Sequence, residues 1–290
     1  MRGSSKHEHL NFKPGLVPNE EEVNMGSKSM SASQETNWVR DLARFGYGAK
    51  GIVYAVVGIL AIQGVARSGQ EGALSTISQQ PFGQVLLGVV GLGLLAYALW
   101  RFVQAGLDPE NEGDDAEGSA KRIAYASSGV VYLGLAISAA QIVIGSGGGG
   151  GGGAQGWTAR LLSVPFGQWL VGLVGASVIA GGLYQLKQAA TADFKEDFDL
   201  REMSSEEETW AERAGRLGHA ARTIVYFIIG WFLIQAALTS NAQQAGGLGK
   251  ALDTLQNQPY GPWLLTAAGA GLICYGIYCF VMARYRKAVM

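Results

Sequence analysis

Long apolar stretches alternate with polar segments along the chain, and the apolar stretches come in pairs. Six of them approach the roughly 20 residues that a helix needs to cross a bilayer core of about 30 Å. Repeated apolar runs of this length are untypical of soluble domains, so the pattern predicts an all-α integral membrane protein. The predicted transmembrane helices are 46–66, 82–104, 123–144, 166–186, 218–238 and 263–283.

The paired helices are three copies of one unit. In each copy the first helix contains a tyrosine, with an arginine ten residues before it and a glutamine nine residues after it. A Pro-aromatic-Gly sequence then precedes the second helix, at 81–83, 165–167 and 259–261. Because every copy crosses the membrane twice, the three tandem two-helix hairpins should share one orientation and surround a pseudo-threefold axis along the membrane normal. The recurring residues are Arg44, Tyr54 and Gln63; Arg122, Tyr132 and Gln141; and Arg216, Tyr226 and Gln235.

Polar segments separate these repeats. Residues 1–37 are rich in polar residues and lack the apolar core of a signal peptide, so we expect a disordered cytoplasmic tail. Repeat 1 is predicted at 38–108, repeat 2 at 121–190, and repeat 3 with a basic tail at 214–290. A charged cytoplasmic linker is predicted at 191–213, and the glycine run 147–153 is typical of a flexible loop.

Lysine and arginine are concentrated on one side of the predicted topology. Of the 22 such residues, only Arg67, Arg160 and Lys250 fall in the segments opposite the N-terminus. Cytoplasmic segments of membrane proteins carry the excess of lysine and arginine. We therefore expect both termini to lie in the cytoplasm.

The recurring tyrosines are the main candidate site. Tyr54, Tyr132 and Tyr226 are predicted at one depth, where three hydroxyls could form a polar ring around a path on the pseudo-axis. The alternative interpretation is packing, in which each hydroxyl bonds a neighbouring helix. The recurring glutamines lie near the other end of the same helices and about half a turn round, which favours hydrogen bonds between helices or a place at the outer interface over a solute site.

Five basic residues are predicted at the inner membrane surface. There they would contact anionic lipid headgroups and help to set the orientation. Lys50 would extend its stem along the helix and place its ammonium among the headgroups, because only 16 uncharged residues follow it in the predicted first helix. The five are Arg44, Lys50, Arg122, Arg216 and Arg222.

Other chemistry is sparse. The formal net charge of -1 argues against a nucleic-acid partner. His219 is the one histidine beyond the N-terminal tail, and Cys274 and Cys279 fall in one apolar run, so no metal set of the usual spacing exists. No acidic residue falls within a predicted span, which weakens the case for a proton-coupled carrier. We predict no cofactor and no enzymatic activity.

The repeated unit resembles the DUF1206 family of bacterial membrane proteins. The resemblance rests on 44–107, 122–189 and 216–283, and it is closest in repeat 1, through the sequences Gln-Pro-Phe-Gly-Gln at 80–84 and Leu-Leu-Ala-Tyr at 94–97. Repeat 2 departs from the pattern at Val164 and in its glycine run, and repeat 3 departs at Tyr260 and Pro262. The resemblance implies tandem membrane hairpins in a bacterial cytoplasmic (inner) membrane, and it implies no activity.

Two functional hypotheses follow. The first is a structural or interaction role, in which the charged cytoplasmic linkers or tail contact a membrane or cytoplasmic protein partner. The alternative is a small channel or transporter with a path lined by Tyr54, Tyr132 and Tyr226. Both hypotheses place the protein in contact with the lipid bilayer.

Overall fold

A computed structural model of the protein describes residues 20–64, 69–109, 113, 115–145 and 153–287, with the side chains of 20–40 and 71 left aside. Within these ranges the chain is helical, and only an isolated antiparallel bridge joins Phe198 to Arg286. The described helices are α1 (Glu20–Ile62), α2 (Gly69–Ser78), α3 (Gly83–Leu107), α4 (Ala116–Val143), α5 (Ala154–Leu162), α6 (Gly167–Thr191), α7 (Ser205–Leu238), α8 (Leu248–Gln256) and α9 (Gly261–Tyr285).

Six of these helices are long and apolar enough to cross a membrane. They are Asp41–Ile62 of α1, together with α3, α4, α6, α7 and α9. The prediction of six membrane-spanning helices in an all-α protein is therefore confirmed. The short helices α2, α5 and α8 each lie between the two long helices of one repeat, and we call that end of the bundle the short-helix end.

Two predicted boundaries differ from the structure. Residues 20–37 of the predicted disordered tail form the first turns of α1, whereas 1–19 lie outside the described residues. Helix α7 begins inside the predicted charged linker, because Ser204 and Glu207 form a capping box and three glutamates occupy its first turn. Arg67 and residues 146–152 of the glycine-run region also lie outside the described residues.

The Pro-aromatic-Gly sequences form tight turns. Phe82, Phe166 and Tyr260 have left-handed backbones with φ of 58°, 63° and 60°, and each long helix begins at the glycine that follows. A Cβ at Gly83 would lie 2.3 Å from the carbonyl oxygen of Ile77, so only glycine fits this close approach. The aromatic rings at these turns are exposed at the short-helix end.

The long helices pack in the spatial order α4, α3, α1, α9, α7, α6. The most extensive interfaces join the second helix of one repeat to the first helix of the next: α3 with α4, α6 with α7, and α9 with α1. Glycines permit this approach, since a Cβ at Gly269 would lie 2.6 Å from the Gly58 carbonyl oxygen and one at Gly175 would lie 3.2 Å from that of Gly230. These three equivalent interfaces follow the pseudo-threefold pattern.

The interfaces within repeats do not follow that pattern. Helices α1 and α3 pack together, as do α7 and α9, but α4 and α6 form no packed interface in the described part of the chain. The three predicted tandem two-helix units are present, and repeat 2 differs from the other two in lacking this interface among the described residues. A Cβ at Gly46 would lie 2.7 Å from the Tyr97 Cα, and one at Gly218 would lie 2.6 Å from the Tyr275 Cα. Repeat 2 has the exposed Ala124 at the equivalent position, and a Cβ at Gly46 or Gly218 would not fit the same approach in the other repeats.

The charged linker folds onto the bundle instead of extending into solvent. Phe194 and Phe198 are buried, and the Phe194 ring stacks on His219 with centroids 5.1 Å apart. The end of α9 pairs with the linker, because the Asp199 N–H donates to the Tyr285 carbonyl oxygen at 2.7 Å. Residues 192–199 and 285–287 thus cover one end of the bundle, which we call the linker end.

Candidate functional site: a cationic centre inside the bundle

Three cations converge inside the bundle, in the half nearer the linker end. They come from three helices and are surrounded by tyrosines from five, so we call this set the cationic centre. Its members are Lys50 and Tyr54 on α1, Tyr97 and Arg101 on α3, Tyr132 on α4, Arg222 and Tyr226 on α7, and Tyr275 on α9.

Lys50 is enclosed by aromatic rings. Its side chain is 2% exposed, and its Nζ donates to the Tyr97 hydroxyl at 2.9 Å. The same Nζ lies 4.5 Å from the centroid of the Tyr97 ring, 5.3 Å from that of Tyr132 and 5.1 Å from that of Tyr275. Aromatic faces attract cations, and the attraction strengthens where water is excluded. The rings therefore offset part of the cost of burying the ammonium.

A second cation shares the Tyr97 hydroxyl. Arg101 donates to that oxygen from Nε at 2.8 Å and from Nη2 at 2.6 Å, and its Nη1 donates to Gln104 Oε1 at 2.9 Å. One phenol oxygen thus accepts hydrogen bonds from two cationic side chains. Removal of Tyr97 would leave both cations without this acceptor.

Arg222 occupies the position in repeat 3 that Lys50 occupies in repeat 1. It is 7% exposed, donates from Nη2 to the Tyr226 hydroxyl, and lies 4.2 Å from the centroid of the Tyr275 ring. With its amide oriented to satisfy both neighbours, Gln185 of α6 accepts from Arg222 Nη1 at 2.9 Å and donates to His219 Nδ1. Arg222 is therefore held by α6, α7 and α9 together.

The centre carries positive charge without a carboxylate partner. Among the described residues, no salt bridge involves Lys50, Arg101 or Arg222. Arg222 Nε and His219 Nε2 are buried, and neither atom has a hydrogen-bond partner in the part of the chain that the structure describes. Burial of a cation in a membrane interior costs several kcal/mol unless an opposite charge or polar groups compensate it. Arranged in this way, the groups can bind an anion.

The structure brings the three predicted tyrosines near one another, two of them in direct contact and the third joined to them through Arg222. The Tyr132 hydroxyl lies 3.5 Å from that of Tyr54, and both side chains are buried. Tyr226 is half-buried and joins the other two through Arg222, whose Cζ lies 5.6 Å from the centroid of the Tyr54 ring. The recurring glutamines are not part of this centre: Gln63 is exposed, and Gln141 and Gln235 are half-buried.

The five basic residues predicted at headgroups divide into two groups. Lys50 and Arg222 differ from the expectation, because both are buried in the protein interior. The three recurring arginines bond the ends of neighbouring segments, and headgroup contact by them stays a prediction. Arg44 donates to the Arg286 carbonyl at 3.4 Å, Arg122 to that of Ala105 at 2.9 Å, and Arg216 to that of Ala190 at 2.8 Å.

Sequence reasoning missed several members of the centre. Tyr97 and Tyr275 hold equivalent positions in the second helices of repeats 1 and 3, so their recurrence was an available signal. Arg101 and Gln185 also hold equivalent positions, in repeats 1 and 2, but their types differ and no repeat pattern singles them out.

An apolar crevice of about 180 Å³ on the outer face of α1, α3 and α9 contains none of the cations.

The comparisons with known proteins agree with the repeat structure. The family model described as a domain of unknown function, DUF1206, matches residues 45–108, 123–192 and 217–286. The chain is 37% identical over 258 residues to the uncharacterized protein YxxB of Bacillus subtilis (strain 168), a match that covers 87% of this chain and 94% of that protein. No solved structure matches the chain. With three tandem matches to one family model and a relative of nearly full length, the chain belongs to the DUF1206 family.

Proposed function

We propose that this membrane protein binds an anionic group at its cationic centre. The observation that carries the proposal is the burial of Lys50 and Arg222, 2% and 7% exposed, at equivalent positions of two repeats and without a salt bridge among the described residues. Intramembrane cations are costly and mark ligand or ion pathways in other membrane proteins. A purely structural core would be as stable with apolar side chains at these positions.

The geometry favours a binding site over an open pore. The hydroxyls of Tyr54 and Tyr132 lie against each other, and residues 192–199 cover the linker end. A channel or transporter on the pseudo-axis would therefore bind its anion among the cations. Passage of the anion would require one end of the bundle to open. Tyr54, Tyr132 and Tyr226 would act as hydroxyl donors beside the cations.

The test is ligand-dependent thermal stability in a non-ionic detergent after removal of lipid. The probes are inorganic phosphate and phosphatidylglycerol, each added to the wild type and to Arg222→Gln. At about a hundredfold excess over its dissociation constant, a bound anion should raise the melting temperature by roughly 5 °C. Arg222→Gln should lose that rise, whereas Arg213→Gln, an exposed change on the same helix, should keep it. An equal rise in wild type and Arg222→Gln, or no rise with either probe, would refute the proposal.

The structural or interaction role remains a second candidate. It is supported by Trp210, whose side chain is 62% exposed in the second turn of α7, beside the glutamates of the first turn. Exposed tryptophan is frequent at binding hot spots. Cross-linking in intact cells should then recover a protein partner from the wild type and little of it from Trp210→Ala. Equal recovery from both would remove this candidate.

We also propose a bacterial cytoplasmic-membrane location with both termini on the cytoplasmic side. The distribution of lysine and arginine supports it. A single cysteine at Lys287, in a background without Cys274 and Cys279, should react with a membrane-impermeant maleimide only after the cells are permeabilised. Reaction in intact cells would reverse the topology.

A further inference from the structure

We infer that the ligand of the cationic centre is an anionic phospholipid, which reaches the centre sideways between α4 and α6. This inference rests on the proposed function and names its substrate class. Three observations on the described part of the chain carry it. Folded segments cover both ends of the bundle, the α4–α6 side lacks a helix interface, and that side combines apolar walls with an interior cation.

Both ends of the bundle are closed by folded segments. At the short-helix end, α2 and α8 pack against each other, α2 also contacts α4, and α8 also contacts α7; Leu74 of α2 and Leu252 of α8 are buried. At the linker end, Phe194 packs edge-on against Tyr278 with centroids 5.1 Å apart. In the described part of the chain, folded segments therefore lie across both ends of the axis, in the way of a soluble anion.

The side between α4 and α6 is open by comparison with the other repeats. Val53 and Val225, in the first helices of repeats 1 and 3, are 1% and 3% exposed, whereas the equivalent Val131 of α4 is 56% exposed. In the second helices, Val90 is 0% exposed and the equivalent Val174 of α6 is 43% exposed. Surfaces that form the hairpin interface in two repeats thus face outward in repeat 2.

Small residues replace the cation and the tyrosine in this repeat. Ser128 stands where repeats 1 and 3 have Lys50 and Arg222, and Gly181 stands where they have Tyr97 and Tyr275. In repeats 1 and 3, each of those cations contacts the tyrosine of its own hairpin. Repeat 2 can form no such bridge, so nothing of this kind holds α4 to α6.

The opening leads to Arg222. Gly181 lies against the half-buried Tyr226, because a Cβ at Gly181 would lie 3.5 Å from the Tyr226 ring. Tyr226 in turn accepts from Arg222, and Gln185 lies one helical turn beyond Gly181 with its carbonyl oxygen on Arg222. A headgroup between α4 and α6 would displace only side-chain hydrogen bonds to reach the guanidinium.

The chemistry of this side fits a lipid. Val131 and Val174 offer apolar walls for acyl chains, and the cation at the inner end offers a partner for a phosphate group. A soluble anion would have to cross these apolar walls from the bilayer. An anionic phospholipid is already in the bilayer beside these walls, and one molecule carries both the phosphate group for the cation and the acyl chains for the apolar walls.

The first experiment measures bound lipid by native mass spectrometry of protein extracted from equal mixtures of phosphatidylglycerol and phosphatidylcholine. Wild type should retain phosphatidylglycerol preferentially, and Arg222→Gln should retain roughly tenfold less, the loss of one charge-assisted contact. Gly181→Phe should cause a comparable loss by filling the opening. Its control is Gly88→Phe on α3, a helix that does not border the α4–α6 side, where no atom lies within 4 Å of an added Cβ, and this variant should bind as wild type does.

The second experiment needs no substitution. A phosphatidylglycerol with a photoreactive group in its acyl chain should label wild-type peptides containing Val131 or Val174 in preference to those containing Ile59 or Ile277, which are also exposed apolar residues of long helices. Uniform labelling, or equal retention of the two lipids, overturns the lipid inference. If phosphate still stabilises wild type but not Arg222→Gln in that case, the proposed anion site stands without the lipid. If neither anion does, both proposals fail.

Discussion

Repeats 1 and 3 form closed hairpins, whereas repeat 2, built from the same unit, holds its two long helices apart. In the closed repeats a glycine on the first helix meets the tyrosine backbone of the second, and a buried cation on the first helix contacts that same tyrosine. Repeat 2 has Ala124, Ser128 and Gly181 at these positions. The three repeats share one apolar pattern, and they differ in these few residues at one level of the bundle where they also differ in helix contact.

The reason lies in the membrane environment. Lipid tails are as apolar as the helix surfaces, so burial of apolar area does not by itself drive helices together. Close backbone approach and interior polar contacts must supply the attraction. A repeat that loses both keeps its helices but loses the interface between them.

The largest effect should come from closing the space that Gly46 provides. Gly46→Leu would drive a side chain into the Tyr97 backbone, and overpacking of this kind should lower the free energy of unfolding by about 3 kcal/mol. The matched change Ala124→Leu lies on the exposed side of α4 and should cost less than about 1 kcal/mol. Unfolding by a denaturing detergent titrated into mild-detergent micelles measures both values. Equal losses would show that repeat 2 packs as tightly as repeat 1.

Removal of the shared hydroxyl should have the next largest effect. Tyr97→Phe deprives Lys50 and Arg101 of their common acceptor, and hydrogen bonds to charged groups contribute about 2 kcal/mol. Tyr226→Phe removes one of the two acceptors of Arg222, at a half-buried position, and should cost about half as much because Gln185 still accepts from the guanidinium. The same unfolding titration ranks the two variants. A larger loss for Tyr226→Phe would contradict the assigned roles.

Grafting the closed pattern onto repeat 2 should bring α4 and α6 together. The variant Ala124→Gly, Ser128→Lys, Ser177→Gly and Gly181→Tyr reproduces the corresponding residues of repeat 1. Spin labels at Val130 and Leu173, both exposed, measure the distance between α4 and α6 by pulsed electron paramagnetic resonance. In the variant this distance should be shorter than in the wild-type sequence by a few ångströms, as the helix axes approach the roughly 8–10 Å of packed helices. An unchanged distance would mean that other residues of repeat 2 hold the helices apart.

The smallest effect concerns the linker that joins repeats 2 and 3. Lys195 Nζ lies 2.7 Å from Glu208 Oε1 and 2.8 Å from Glu212 Oε2, and the hydrogen bonds to Glu208 and then Glu212 raise the pKa of Lys195. Because the pKa is raised in the folded state, the stabilisation is present at neutral pH and is lost as the pH rises above the ordinary lysine value of 10.5. Lys195→Met should cost less than about 1 kcal/mol at neutral pH, since the pair is partly exposed.

The pH dependence supplies the control for Lys195→Met. The melting temperatures of wild type and Lys195→Met should become equal once the pH exceeds the lysine pKa. The control is Lys187→Met, which removes a more exposed ion pair to Asp193 and should leave this pH dependence as it is in the wild type. A difference between wild type and Lys195→Met that persists at high pH would show that packing of the lysine stem, and not its charge, stabilises the linker.

Much of the fold could be predicted because it depends on local pattern. The six spans follow from the lengths of the apolar runs, and the close contact of Gly58 with Gly269 agrees with the small residues expected at helix interfaces. The site could be predicted only in part. Tyr54 and Tyr132 were found through their recurrence, but Lys50 was expected at the surface, because a lysine near the end of a span usually reaches the headgroups.

By itself the sequence determined the six helices, because helix formation in a membrane depends on runs of apolar residues within one segment. The recurring residues determined the grouping into three units and the family to which the chain belongs. The tertiary structure decided which helices touch, which cations are buried and which repeat stays open. These depend on contacts between residues far apart in the chain, such as Lys50 with Tyr97 and Arg222 with Tyr275. Such contacts follow from the order of helices in space, and a hydropathy pattern does not encode that order.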